Sequence, residues 1–154
     1  MRTEMTFSRP RRIFGLALLL LLAGCAVQAP APAGFAPWPE DTSFRAADPA
    51  GVMYRVRKLA NDPKADLAFW SEASFLSLRE KGCRPVDTLE VSFSGTPARA
   101  LECAMPVGPA DWLYLVAVGV KGDEIWVAEA TGEASKFQTR RPALLEALKG
   151  VAAE

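Results

Sequence analysis

Two consecutive strand patterns, which together predict a long hairpin, constrain the fold of this 154-residue chain most strongly. The first pattern, Trp112 to Val120, is apolar on both faces, which is typical of a strand that is covered on both sides. Lys121-Gly122-Asp123 follows, a glycine-containing turn of the kind that reverses a strand, and Glu124 to Thr131 then gives the second strand. A two-residue turn at Gly122-Asp123 would place Trp126 opposite Gly119.

The rest of the chain from Gly51 onward also carries periodic signals. Alternation of period two predicts strands, and apolar residues at helical spacing predict helices. Asp62 and Pro63 indicate a helix start, and Gly82 a helix end. The predicted elements are a strand over 51–59, a helix over 62–81, strands over 86–93, 98–105, 112–120 and 124–131, and a helix over 139–149. This order, β-α-β-β-β-β-α, predicts an α+β domain over 51–154: one antiparallel sheet of about five strands, packed by two helices.

The first 24 residues have the composition of an export signal. Basic residues come first, and an apolar run from Ile13 to Ala23 follows, which is the order of a secretory signal; the basic residues are Arg2, Arg9, Arg11 and Arg12. Eleven helical residues reach about 16 Å, whereas the hydrocarbon core of a bilayer measures about 30 Å. We therefore expect residues 1–24 to form a signal helix that is cleaved, and not a permanent membrane span.

The end of this segment reads Leu22-Ala23-Gly24-Cys25, which resembles the bacterial lipobox. The resemblance implies that Cys25 receives a diacylglycerol and that its new amino group is acylated, with a fatty acid such as palmitate. The other interpretation is an ordinary signal peptide with a chance cysteine. Ala26 occupies the position where an aspartate retains well-studied lipoproteins in the inner membrane, so the resemblance favours an outer-membrane anchor for a domain that faces the periplasm.

Charge and composition exclude several classes of function. The chain has 18 basic and 18 acidic residues, but the segment after residue 24 keeps 14 basic and 17 acidic ones, so we expect no nucleic-acid partner. Histidine is absent from the sequence, which excludes Ser-His-Asp and Cys-His catalysis and histidine metal ligands. No phosphate-binding loop, calcium loop or zinc spacing occurs, so we predict no cofactor, no metal and no catalytic residue.

Residues 25–50 read as a tether between the lipidated Cys25 and the domain. The stretch is rich in alanine and proline and has no helical periodicity, which predicts a semi-rigid, extended spacer. Phe35, Trp38 and Phe44 are unusual in a linker. Either the later part of the stretch docks on the domain, or these residues form a protein-docking motif.

Cys83 and Cys103 remain as an even pair in an oxidising compartment, where a disulfide would close a loop of about 20 residues. The predicted hairpin argues against this bridge. A turn at Gly95-Thr96 pairs Cys103 near Thr88, and Cys83 would then lie roughly 17 Å further along an extended strand. Only a sharp bend at Arg84-Pro85 would bring the two residues together. Otherwise Cys103 is a buried core thiol.

Glu129 is the carboxylate that the hairpin register singles out. It shares a sheet face with Val116, Val118 and Val127, so we expect it to be partly buried, with a raised pKa or an arginine partner. A structural ion pair is the better explanation, because buried charges are usually paired; a catalytic acid is the alternative.

Two basic groups read first as solvated faces, and as possible contacts for an acidic partner or a lipid head group. One contains Arg55 and Arg57, and the other contains Arg140 and Arg141.

The segment from Ala98 to Val151 resembles the second half of PsbP/Mog1/DcrB-like domains: strand, loop, long hydrophobic strand, Lys-Gly-Asp turn, strand and closing helix. The resemblance implies a binding or accessory scaffold and transfers no catalytic residue. We therefore predict a non-enzymatic, membrane-anchored envelope lipoprotein that binds a protein or another envelope component. The alternative is a small-molecule or lipid carrier with an apolar pocket between sheet and helices. An enzyme that uses Glu129 or Cys103 is the least favoured hypothesis.

Overall fold

The computed structural model describes residues 27–38, 40 and 42–152. It confirms an α+β fold with a single antiparallel sheet and two helices. The sheet has seven strands, not the predicted five or so, in the spatial order β1-β2-β3-β7-β6-β5-β4. The elements are β1 (Ala36–Pro37), β2 (Ser43–Ala47), β3 (Met53–Ala60), α1 (Leu67–Glu80), β4 (Arg84–Phe93), β5 (Thr96–Val107), β6 (Ala110–Lys121), β7 (Glu124–Glu133) and α2 (Ala134–Leu148).

The two additional strands come from the stretch that the sequence predicted as a tether. β2 pairs with β3 along its whole length, and β1 pairs with β2. Phe44 and Ala46 alternate along β2 and are both buried, as are Val27 and Phe35 before it. The prediction of a spacer up to residue 50 is therefore wrong over the described residues. These apolar side chains are buried on the domain, and β2 supplies the backbone hydrogen bonds that the edge of β3 would otherwise lack.

Two apolar layers cover the two faces of the sheet. On the face that α2 covers, here called the α2 face, the core contains side chains of all the longer strands, of α2 and of residues 27–35. Its largest fully buried members are Tyr54, Phe93, Phe137, Leu115, Leu144 and Leu148. On the opposite face, here called the α1 face, a smaller core joins α1 to β5, β6 and β7; it comprises Phe75, Cys83, Leu101, Cys103, Val116, Val118, Ile125 and Val127.

The long hairpin forms in the predicted register. Gly119 lies opposite Trp126 across the turn at Gly122, which has a positive φ of 62°. Gly119 is required for packing, since a methyl group at this position would lie 2.6 Å from Cδ2 of Phe93. A glycine on the long strand therefore lets the last residue of β4 pack directly on β6.

The helices begin at residues other than those predicted. α1 begins at Leu67 and not at Asp62, because Asp66 accepts a hydrogen bond from the Phe69 amide at 2.9 Å and caps the helix. Asn61 holds the preceding loop: its Oδ1 accepts from the amide of Ala65 at 3.0 Å and from the indole of Trp70 at 2.7 Å.

α2 begins at Ala134, directly after β7, so Pro142 lies inside the helix and not in its first turn. The early start buries Phe137 completely against the sheet. This burial outweighs the helical hydrogen bond that a proline cannot donate. Within the described ranges, neither helix has the length and apolar character needed to cross a bilayer.

Candidate functional site

An uncovered strip of the sheet carries the candidate site. α1 packs over β5 and β6, and among the described residues no helix packs on the α1 face of β2, β3 and part of β7. Arg45, Arg55 and Glu129 lie side by side across these three strands, because Arg45 pairs with Arg55 and Arg55 pairs with Glu129. Like charges directly opposite each other are unfavourable in a sheet. This row therefore needs the carboxylate, or another anion, next to its two arginines.

Glu129 is the centre of the site and has the arginine partners that the sequence allowed. Its side chain is 14% exposed, and its Oε2 lies 2.9 Å from Nη2 of Arg55 and 3.3 Å from Nε of Arg57. The Tyr114 hydroxyl donates to its Oε1 at 2.6 Å. Val116 lies directly opposite it on β6, as the predicted register requires. The carboxylate is thus an acceptor shared by three donors.

The site carries a surplus of positive charge. Two guanidinium groups share the single carboxylate of Glu129. Arg45 beside them pairs with Glu40 at 3.2 Å, where both side chains are more than a third exposed. The Nε atoms of Arg45 and Arg57 are shielded from solvent and lie at ion-pair distance from Glu40 and Glu129, but their N–H groups do not point at these carboxylates with hydrogen-bond geometry. We call the five residues Arg45, Arg55, Arg57, Tyr114 and Glu129 the arginine groove.

Two cavities adjoin the arginine groove and share Tyr114 and Glu129 as lining residues. One, of about 340 Å³, lies towards Met53 and Thr131. The other, of about 330 Å³, lies between α1 and the sheet, where Trp70 and Ile125 contribute to its lining. A ligand in either cavity would therefore have charged groups at one end and apolar side chains at the other.

The tyrosine of the groove should be hard to ionise. Burial, and then the hydrogen bond to Glu129 and its negative charge, raise the pKa of Tyr114 above its usual value near 10. Burial alone raises the pKa of Tyr54, which is the other tyrosine of the chain. We therefore expect tyrosinate absorbance at 295 nm to appear well above pH 10 in the folded protein, and near pH 10 in urea.

A Tyr54→Phe background isolates Tyr114 in this titration. There, Glu129→Gln should lower the remaining transition towards pH 10, while Glu124→Gln, a change in an exposed ion pair with Lys58, should leave it in place. A folded-state transition at pH 10 in the background variant would contradict the described environment of Tyr114. Because the pKa of Tyr114 is higher in the folded than in the unfolded state, ionisation of this tyrosine leaves the free energy of unfolding unchanged below about pH 10. Above about pH 10 it lowers the free energy of unfolding, until the pH has risen through the folded-state pKa.

Cys83 and Cys103 are joined by a disulfide in the structure, with their Cα atoms 5.6 Å apart. The geometric argument against the bridge is wrong for two reasons. The hairpin turns at Ser94-Gly95, so Thr88 pairs with Leu101, and an irregularity between Pro85 and Asp87 then brings Pro85 opposite Cys103. Both cysteines are buried in the core of the α1 face. Cys103 is therefore neither the free core thiol of the alternative interpretation nor an exposed nucleophile.

The second basic group, Arg140 and Arg141, is used inside the fold. Nε of Arg140 lies 2.7 Å from Asp48, whose side chain is fully buried, and Nε of Arg141 lies 2.7 Å from Glu102, whose side chain is 3% exposed. The structure thus gives both residues a role other than the predicted solvated contact. They neutralise carboxylates that would otherwise be buried without a counter-ion.

The remaining site predictions concern lipidation and metals. Cys25 lies outside the described residues, so its lipidation stays a prediction. Within residues 27–38, 40 and 42–152, no three side chains of the metal-binding types come together as a possible metal site.

Sequence reasoning found three of the five groove residues and missed Arg45 and Tyr114. Arg45 escapes prediction because its strand lies in the alanine- and proline-rich stretch that has the composition of a tether. The signal that could have found it is the alternation of Phe44 and Ala46 around it, together with the unexpected aromatic residues nearby. Tyr114 was missed because its strand is apolar on both sides, which conceals the one hydroxyl that points at Glu129.

The chain matches no protein-family model and no curated protein sequence. Several solved structures share its fold. Protein PA94 of Pseudomonas aeruginosa, a protein of unknown function described as a candidate regulator, has a TM-score of 0.57 and 14% identity over 78% of this chain and 97% of its own. LpqN of Mycobacterium tuberculosis, involved in cell envelope biogenesis, has a TM-score of 0.57 and 15% identity over 83% and 84% of the two chains.

The cyanobacterial PsbP protein of Synechocystis is similar to the same degree. It has a TM-score of 0.57 and 8% identity over 90% of this chain and 99% of its own. Identities this low establish a shared fold and nothing about ligands. The PsbP-like fold that the strand pattern suggested is thereby supported.

Proposed function

We propose that this protein is a non-enzymatic, membrane-anchored accessory module of the bacterial envelope. In this proposal the arginine groove binds an anionic group of a protein or of another envelope component. The observation that carries the proposal is the groove itself. Three arginines lie beside α1 on the part of the α1 face that neither described helix packs on, with a surplus of positive charge and two cavities beside them. Guanidinium groups are the donors best suited to carboxylate and phosphate groups.

The state of Glu129 supports binding over catalysis. A general acid or base needs an oxygen that can reach a substrate. Here Oε1 accepts from Tyr114 and Oε2 lies against Arg55 and Arg57, so both oxygens are occupied by the protein. The carboxylate acts as a counter-ion that holds the arginines in place until another anion competes for them.

The setting of the proposal is the outer membrane, with the domain facing the periplasm. Residues 1–24 would be removed and Cys25 would carry the lipid anchor. The order of basic, apolar and small residues before Cys25 supports this setting, as does Ala26 after it. The shared fold with LpqN, an envelope biogenesis protein, is compatible with it.

Replacing the anchoring cysteine tests the membrane part of the proposal. In Cys25→Ser we expect the protein to carry no lipid and, once residues 1–24 are removed, to leave the membrane fraction, because the proposed acyl chains on Cys25 are what hold the mature protein on the bilayer. Fractionation and intact-mass measurement after expression of the full chain check this. Gln28→Ser, a change at an exposed position nearby, is the control and should stay anchored. A Cys25→Ser variant that is still cleaved after residue 24 and keeps an unchanged distribution would refute the lipid anchor.

Charge removal in the groove tests the binding part. We expect Arg55→Gln with Arg57→Gln to weaken binding of an anionic partner at least tenfold, since two charge-assisted contacts are lost. The measurement is capture of envelope components by the full-length protein in detergent, followed by affinity determination with the component that is captured. Arg99→Gln is the matched control, because Arg99 lies on the same sheet face and pairs with the exposed Glu90. Equal capture by all three proteins would contradict the proposal.

A carrier of small amphiphilic molecules is the second candidate function. It is favoured by the cavity of about 330 Å³ between α1 and the sheet, which is within the size range of ligand pockets. Ser74→Trp on α1 would fill this cavity, whereas Ser92→Trp, on the opposite edge strand, would not. Loss of binding of a fluorescent fatty acid in the first variant alone would support the carrier. The absence of any binding to the wild-type protein would exclude it for this class of ligand.

A further inference from the structure

The chain enters the folded domain almost directly after the proposed lipidation site. Val27 is 5% exposed and belongs to the core of the α2 face. Only Ala26 separates it from Cys25, and two residues of chain span at most about 7 Å. A lipid on Cys25 would therefore hold the domain at Val27, without the spacer that the composition predicted.

The path of the next residues locates Val27 at one end of α2. A methyl group on Gly150 would lie 2.6 Å from Cγ of Pro30, and one on Gly34 would lie 3.4 Å from the guanidinium of Arg140. Ten helical residues cover about 15 Å, which is close to the reach of four extended residues. The segment from Pro30 to Gly34 thus runs along α2 from its C-terminal end towards its N-terminal part. Val27, three residues earlier, lies at the C-terminal end.

Hydrogen bonds identify the end of the sheet beside which Val27 and the C-terminal end of α2 lie. The Ser94 amide donates to the carbonyl of Lys149 at 3.0 Å, and its hydroxyl donates to the carbonyl of Val151 at 2.9 Å. The ammonium group of Lys121 donates to the carbonyl of Ala152 at 3.1 Å. We call this the anchor end; it contains Val27 and the turns at Ser94-Gly95 and Gly122-Asp123. The turns at Gly51 and Gly108 lie at the opposite end, about 35 Å away along the strands.

We propose that the anchor end rests against the membrane leaflet that holds the lipid of Cys25, so that the strands stand upright on this leaflet and hold the arginine groove at a distance from it. The proposal rests on the lipid anchor of the proposed function. Val27 belongs to the α2 face, whereas the groove lies on the α1 face, on the other side of the sheet. Along the strands, Glu129 lies seven residues, or about 23 Å, from Gly122 of the anchor end. The cavity at Met53 and Thr131 extends further towards the opposite end, whereas the cavity at Trp70 and Ile125 reaches back towards the anchor end. The anion in the groove therefore comes from the periplasmic side and is not a head group of the anchoring leaflet.

Paramagnetic relaxation measures this orientation on the intact lipoprotein. The full-length lipidated protein, labelled with ¹⁵N-glycine, is placed in nanodiscs whose lipid head groups carry gadolinium, with lanthanum head groups as the diamagnetic reference. We expect relaxation enhancement at Gly95 and Gly122 to exceed that at Gly51 and Gly108 at least about fivefold, since the two pairs lie about 35 Å apart and the effect falls with the sixth power of distance.

A linker variant provides the matched control. Ten Gly and Ser residues inserted between Ala26 and Val27 give a mean end-to-end distance of about 17 Å, so enhancement at Gly95 and Gly122 should fall severalfold while the protein stays on the disc. Equal enhancement at both ends, or an unchanged pattern with the linker, would overturn the orientation and leave the anchor intact. A protein of unlipidated mass that does not bind the disc would overturn the anchor as well.

Discussion

Replacing Arg140 with alanine is expected to lower the free energy of unfolding by about 2 to 3 kcal/mol, because it leaves a buried carboxylate without its counter-ion. The side chain of Asp48 is fully buried, and Arg140 reaches it at 2.7 Å while remaining 35% exposed. This exposure lets water replace part of the lost interaction, so the expected loss is at the low end for a buried pair. Urea denaturation at pH 7 measures it.

Two further variants separate this pair from general effects on α2. Lys136→Ala removes an exposed ion pair with Glu133 on the same helix, and should change stability by less than about 0.5 kcal/mol. Asp48→Asn in the Arg140→Ala background removes the buried charge while keeping an acceptor for the Val52 amide, which Asp48 binds at 2.8 Å. It should therefore restore part of the lost stability. If Arg140→Ala lowered the free energy of unfolding no more than Lys136→Ala does, the Arg140–Asp48 pair would contribute little to stability.

The effect of Arg140→Ala should also depend on pH. Burial raises the pKa of Asp48, but the hydrogen bonds from Arg140 and from the Val52 amide outweigh burial, so the folded-state pKa lies below the usual value of 3.8. A lowered pKa contributes stability above the unfolded value, and this contribution is lost as the pH falls through the folded value. The difference between wild type and variant should therefore be largest at neutral pH and smaller below pH 3.

The sequence pattern predicted the β6–β7 hairpin with its register, because the turn that fixes this register can be read from the sequence. The Gly122-Asp123 turn is enough to place Gly119 opposite Trp126, because strand alternation then determines every later pair. β1 and β2 escaped prediction, since a two-residue strand and a five-residue strand among prolines give little periodic signal. Their strand character comes from pairing with β3, which is a tertiary effect.

The candidate site was predictable in its residues but not in its assembly. Glu129 and the two arginines of β3 followed from alternation. Their contact depends on β3 and β7 lying side by side, although α1 and three strands separate them in the chain. No local pattern specifies such a pairing. The prediction on the disulfide was wrong for a local reason. The turn lies one residue earlier than predicted, which moves the partner of Cys103 by two residues, and an irregularity near Pro85 moves it by one more without leaving a distinct trace in the periodicity.

Reducing the Cys83–Cys103 disulfide is the second change with a large expected effect on stability. The bridge spans 20 residues and ties the end of α1 to β5. In the chain-entropy model, closing a loop of this length stabilises the folded state by about 3 kcal/mol, chiefly by restricting the unfolded chain. We expect Cys83→Ala with Cys103→Ala to unfold at correspondingly lower urea concentration than the oxidised wild type.

The reduced wild-type protein separates loss of the crosslink from loss of the buried sulfur atoms. The reduced protein keeps both cysteines, so it should unfold at nearly the same urea concentration as the double variant, apart from the small cost of two truncated side chains. The double variant itself should unfold at the same urea concentration with and without reductant. Thiol labelling of the denatured protein before and after reduction verifies the bridge. If oxidised and reduced wild type unfolded at the same urea concentration, the bridge would not stabilise the domain, and packing such as that of Phe75 and Leu78 would be enough to hold the end of α1.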